Sequence, residues 1–143
     1  MPDNELRLMA QLCYGSGLRL FECVRLRIKD VDLTSQRITV RDTKSNRDRH
    51  TILPGKLIAP LGQHSARVTL LHQSDIADGI GVHLPDTIAV KYKNAHREIG
   101  WRFLFPSKSI SKGEHGEPMR HHIHITKPIG HLIPICVCGY CVL

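Results

Sequence analysis

The sequence predicts an α+β fold in which helices pack around a small antiparallel β-sheet or hairpin. Three observations lead there. An amphipathic helical stripe near the start runs into a double-glycine turn. An alternating strand returns through a polar, basic tip to a second strand. A further apolar-periodic segment then covers residues 56–79. The length of 143 residues suits one domain or part of one. Aromatic residues make up only 5%, so the core is expected to rest on Leu, Ile and Val.

Each element has a local reason. Leu6, Met9, Ala10 and Cys13 fall at i, i+3, i+4 and i+7, one stripe of an amphipathic helix over residues 5–13. Tyr14-Gly15-Ser16-Gly17 ends it, because two glycines permit the backbone angles of a tight turn. A second helix starts near Arg19 and carries Phe21, Cys23, Val24 and Leu26. Residues 29–54 read as strands. Arg37-Ile38-Thr39-Val40-Arg41 alternates polar with β-branched apolar residues, and His50-Thr51-Ile52-Leu53 is its partner across Asp42–Asp48. Pro54-Gly55 stops the hairpin. The helix at 56–79 offers Leu57, Leu61, Val68, Leu71 and Ile76 as buried positions, with Pro60 and Gly62 near its start and Gly79 and Gly81 at its end. Residues 82–124 form a loop-rich basic segment holding the single tryptophan, Trp101. Residues 125–143 show neither helical nor strand periodicity.

Charge narrows the function. Twenty Lys+Arg stand against 13 Asp+Glu, a formal +7, with ten histidines besides. Such a balance favours a polyanionic partner, nucleic acid before anionic membrane. No apolar run reaches the roughly 18–20 residues that cross a bilayer, and no membrane partner is expected. The polar start Met1-Pro2-Asp3-Asn4-Glu5 is unlike a secretory signal, so Cys13, Cys23, Cys136, Cys138 and Cys141 are read as reduced cytoplasmic thiols.

Two side chains stand out chemically. An arginine beside a glycine turn, Arg19, approaches a phosphate closely and holds two of its oxygens with a planar guanidinium. Lys44, at the tip of a hairpin, is a point charge or proton donor held out by two strands. The plainer alternative is that Arg19 pairs with an acidic neighbour and Lys44 is simply solvated.

The stretch Tyr14-Gly15-Ser16-Gly17-Leu18-Arg19-Leu20-Phe21-Glu22 resembles the first-arginine motif of the tyrosine site-specific recombinases. Leu26–Leu33 and Val40–Arg49 continue the likeness through the hairpin. Leu84-Pro85-Asp86, Lys91–Ala95, Gly100–Pro106 and Arg120-His121-His122-Ile123-His124 are similar to the insertion peculiar to integron integrases, so the resemblance covers residues 4–124. It implies an incomplete catalytic domain over residues 1–124, of which 82–124 form the insertion. Arg19 is then the first catalytic arginine and Lys44 the catalytic lysine, with Glu22 a structural partner of the turn. In the family a tyrosine attacks the phosphodiester to give a 3′-phosphotyrosyl link, and cations stabilise the developing charge. No cofactor or metal is implied. Arg41, Arg47 and Arg49 are assigned to DNA contact, and Trp101, His121 and His122 to stacking on extrahelical bases of folded single-stranded attachment-site hairpins. Duplex attachment sites and other integrase protomers are the further implied partners, and the bacterial cytoplasm, at the nucleoid, the implied location.

The likeness stops after His124. His131-Leu132-Ile133-Pro134 places a proline where a His-x-x-Arg motif needs its arginine, and a helix's length of sequence separating that motif from the insertion is not there. Residues 125–143 are therefore expected to be a divergent, frame-shifted tail, and Tyr140 is not expected to be the nucleophile. The helical DNA-clamping domain that precedes the catalytic domain in the family has no counterpart before Glu5. Two alternatives stay open. In one, His121, His122, His124 and His131 join Cys136, Cys138 and Cys141 in a zinc-binding nucleic-acid module. In the other, the chain is a poorly folded degenerate product.

Overall fold

A computed structural model describes residues 2–41, 47–113 and 116–123. Lys44 and the whole of residues 124–143, with the tail and every zinc-alternative ligand except His121 and His122, lie outside the described residues.

Helix α1 (Pro2–Ser16) and the short α2 (Leu20–Val24) meet across the glycine turn. The buried face of α1 centres on Leu8, Met9 and Leu12, while Leu6 and Cys13 lie at its edge. The expected stripe had the right period but sits slightly round the helix, because Leu8 and Leu12 share the face with Met9. Leu26, expected inside the second helix, lies beyond it and is still buried, whereas Phe21 is exposed.

The chain then makes a 3-10 turn (Ile28–Asp30) and a three-stranded antiparallel sheet, β1 (Val31–Asp32), β2 (Arg37–Val40) and β3 (Arg49–Ile52), in that spatial order. Val40 pairs with Arg49 and Arg37 with Ile52, so residues 41–48 connect the strands at the expected hairpin end. Ile38 and Val40 point into the core with Arg37 outward, as strand alternation requires. Helix α3 (Gly55–Ala77) passes through Pro60 without ending. Its buried face runs Leu57, Leu61, His64, Val68, His72 and Asp75. Leu71 and Ile76 are only half-buried, and the polar residues take the positions expected of them. Gly79, with φ +75°, closes the helix.

The second half is loop-rich, as expected, with short strands and one short α-helix set in the loops. β4 (Gly81–Val82), β5 (Ser111–Lys112) and β6 (Pro118–Arg120) form a second sheet, ordered β4-β6-β5, and α4 (Asp86–Lys91) lies between its first two strands in sequence. Residues 102–107, all buried, join this half to the first. Ile28 N–H donates to the Arg102 carbonyl at 2.9 Å and Leu104 N–H to the Leu26 carbonyl at 2.8 Å. On the other side, Ile123 N–H donates to Phe105 and Ser107 N–H to His121, both at 2.8 Å. Leu104 and Phe105 thereby enter the core made by α1, β2 and α3.

Candidate nucleic-acid interface

The turn that carries Arg19 is built by its glycines. Gly17 adopts φ +64°, and Leu18 N–H returns to the Cys13 carbonyl at 3.1 Å, the bond of a Schellman helix end. Leu18 goes into the core, so Arg19, next in the chain, faces out and begins α2. Its amide donates to Glu22 Oε2 at 2.8 Å. Arginine has no acceptor, so its side chain caps nothing and remains exposed.

Strand β3 and the proline that follows it are fastened to this turn at three places. Thr51 Oγ1 donates to the Ser16 carbonyl at 2.7 Å. Arg49 Nη2 lies 2.7 Å from the same Glu22 Oε2 that holds Arg19, and 3.5 Å from the Gly17 carbonyl. Pro54 packs on Gly15 so closely that a Cβ there would stand 2.6 Å from its Cγ. The hairpin and the arginine turn are thus one unit. Arg49, assigned to DNA contact, is engaged in an ion pair within it. Arg47 is exposed.

Arg41, at the end of β2, donates through Nε to Asp30 Oδ1 at 2.8 Å and has Asp48 at 3.7 Å from Nη1. The Asp30 hydrogen bond raises its already high pKa. Asp30 is buried and also accepts the Arg27 amide at 3.2 Å. Arg27 itself is buried, donating to the carbonyls of His83 and Trp101 and lying 4.2 Å over the Phe103 ring. Burial lowers its pKa to about 10. Lys29 Nζ lies 3.0 Å from the centre of the Trp101 ring. Burial, and then the charge of Arg41, lower the lysine's pKa. Trp101 is therefore half-buried with a cation over its ring, and Lys29 and Arg27 are neighbours that sequence reasoning missed. A pairing across some seventy residues of chain leaves no local signal.

His121 stacks on His83, ring centres 4.3 Å apart, and His122 meets the Phe103 ring edge-on at 5.5 Å. His83 and His121 line a cavity of about 480 Å³, whose apolar wall includes Val82, Leu84, Tyr92 and Met119 and whose polar rim includes Lys93, His96 and Lys112. Trp101 and His122 are not among its lining residues. His121 thus lies at the cavity, His122 against Phe103 and Trp101 beside Lys29, and Arg27 lies among them, with the His83 and Trp101 carbonyls and the Phe103 ring around its guanidinium.

Beneath this region lies a second missed feature. Asp75 is buried between two arginines, accepting Arg120 Nε at 2.7 Å and Nη2 at 2.8 Å, together with Arg102 Nη2. Arg120 also donates to the Ser107 carbonyl at 2.8 Å. Among the described residues no three His, Cys, Asp or Glu side chains are grouped to hold a metal ion, and no helix is long and apolar enough to cross a membrane.

Comparison with known proteins shows the family. Residues 2–122 match the phage integrase family, and the chain belongs to that family of tyrosine recombinases. It is 36% identical over 124 residues to proteins described as "Integrase/recombinase" in Escherichia coli and in Pseudomonas aeruginosa. The match takes in 85% of this chain and 37% of each relative. Tyrosine recombinase XerA of Pyrococcus furiosus is 35% identical over 71 residues, 48% of this chain and 25% of that protein. The chain spans little more than a third of the two relatives that it matches over most of its own length.

Proposed function

We propose that this chain is a DNA-binding fragment of an integron-integrase-like tyrosine recombinase, unable to cleave DNA alone. The observation that carries the reading is the clasp between the Arg19 turn and β3, through Glu22 and Arg49. In this reading Arg19 grips a phosphodiester with two parallel hydrogen bonds, and Lys44 comes to the same linkage from the hairpin, where it would protonate the departing 5′ oxygen. The reading expects no cleavage because His131-Leu132-Ile133-Pro134 carries a proline where the family's His-x-x-Arg motif needs its arginine.

Residues 82–124 take the role of the insertion that recognises extrahelical bases of a folded attachment-site hairpin. The His83–His121 stack at the mouth of an apolar cavity supports this, since a flat base gains about 1–3 kcal/mol by stacking on such a surface. DNA, and other integrase protomers assembled on it, are the partners, in the bacterial cytoplasm at the nucleoid.

The test is binding of a folded single-stranded hairpin with extrahelical bases over a range of salt, followed by a suicide substrate that traps covalent adducts. The reading expects hairpin binding that weakens steeply with salt and no adduct. An adduct at Tyr140, or binding indifferent to salt, contradicts it.

A further inference from the structure

Cys13 and Cys23 stand on the two sides of the Arg19 turn, and neither has a part in the proposed DNA contact. Cys13 lies in the last turns of α1 and is half-buried; Cys23 lies in α2 and is buried. The Cys23 sulfur is 3.9 Å from the Met9 carbonyl oxygen. In an α-helix that carbonyl is the one directed at the Cys13 amide, so the Cys23 sulfur rests on the helical turn that carries Cys13. Cys13 packs against the core cluster that contains Cys23, so both side chains lie where α1 meets α2. The neighbouring Cys23 thiol favours the Cys13 thiolate and lowers its pKa against the opposing effect of burial. Cys13, with burial, raises Cys23 well above the ordinary thiol range. A half-buried thiol with enhanced thiolate character beside a fully buried second thiol is the arrangement of a redox-sensing pair.

We infer that Cys13 and Cys23 form a dithiol oxidation site, closed to an intramolecular disulfide by a peroxide, that pins α1 to α2 around Arg19. The Cys13 thiolate attacks one peroxide oxygen, the O–O bond breaks, and the leaving hydroxide takes up a proton as water. Cys13 is then a sulfenic acid. The Cys23 sulfur attacks the Cys13 sulfur, the S–S bond forms, and the S–O bond breaks. The hydroxyl leaves with the Cys23 proton as a second water. The two thiols together lose two electrons, and the peroxide is reduced to two waters.

The test uses the full chain with C136S, C138S and C141S, so that only the pair remains. After hydrogen peroxide treatment and alkylation, the intact mass is expected to show the loss of two hydrogens and no alkylation. Peptide mapping is expected to show the Cys13–Cys23 link within one chain, undone by dithiothreitol. In a C23S version of the same chain, Cys13 is expected to stall as a sulfenic acid that dimedone traps. Both thiols still open to alkylation after peroxide, or disulfides formed only between chains, would overturn the inference; this readout alters neither member of the pair. Dimedone labelling of Cys23 in the matching C13S version, with none at Cys13 in the C23S version, would overturn the assigned order of attack.

Discussion

Arg49 and Glu22 are joined at 2.7 Å, and the Glu22 oxygen in that bond also accepts the Arg19 amide at 2.8 Å. One carboxylate therefore connects the start of β3 to the start of α2. Arg49 is about half exposed, so the ion pair itself contributes only about 0.5 kcal/mol. Glu22→Ala also strands the Arg19 amide and is expected to cost about 1 kcal/mol. Thermal melts of both variants check the order, Glu22→Ala below Arg49→Ala. Equal melting temperatures would mean that the shared oxygen is of no consequence.

Glycines in two helices should respond to alanine with opposite signs. At Gly62, within α3, a Cβ meets only Leu33 Cδ1 at 3.8 Å, so Gly62→Ala should stabilise the fold by about 0.5–1 kcal/mol. At Gly15 the new Cβ would stand 2.6 Å from Pro54, and Gly15→Ala should destabilise despite the better helix propensity. Denaturant midpoints of the two variants, moving in opposite directions from the parent, are the expected result.

Asp75 is the negative centre of the second half. Burial alone would raise its pKa, but the Arg120 and Arg102 guanidiniums prevail and hold it below the ordinary carboxylate range. A carboxylate depressed in the folded state stabilises fully above its unfolded pKa of about 3.9 and loses that contribution as pH falls further. Asp75→Asn leaves two buried arginines without a counter-charge and should cost about 3–5 kcal/mol. Circular dichroism melts should show that loss at neutral pH and a weaker acid transition below about pH 4 in the variant.

His64 and His72 give a second pH window. Each donates Nε2–H to a carbonyl, of Leu104 at 2.7 Å and of Arg97 at 3.0 Å, and in each burial lowers the pKa despite that bond. The unfolded chain binds protons there from about pH 6.5 downward while the folded chain resists, so stability should decline from about pH 7 toward pH 5. His64→Gln should lower stability at pH 7 and flatten that slope. A slope unchanged in the variant would place the titration elsewhere.

The first half was legible because its signals are local. The Gly15–Gly17 turn, the 37–53 hairpin and the long helix each announce themselves within one window of sequence, and the resemblance to the recombinases rested on the same windows. The second half was not. β4 pairs with β6 across nearly forty residues, and strands of two or three residues carry no period. Nothing local marks Asp75, Arg102 and Arg120 as buried, because only the fold brings them together, and they enter the interior as a set. His64 and His72 occupy helix positions whose spacing points inward, but their polarity hid them. The roles assigned to Arg19 and Lys44 come from the resemblance, and the described residues fix the setting of the first.

The central claim is that Arg19 and Lys44 act on one phosphodiester, and a salt-resolved double-mutant cycle tests it most directly. Hairpin DNA affinity is measured across salt for the parent, Arg19→Ala, Lys44→Ala and the double variant. Each single change is expected to reduce the slope of log affinity against log salt by roughly 0.7–0.9, and the double variant to lose less than the sum of the two. Unchanged slopes, or losses that simply add, would contradict a phosphate shared between them.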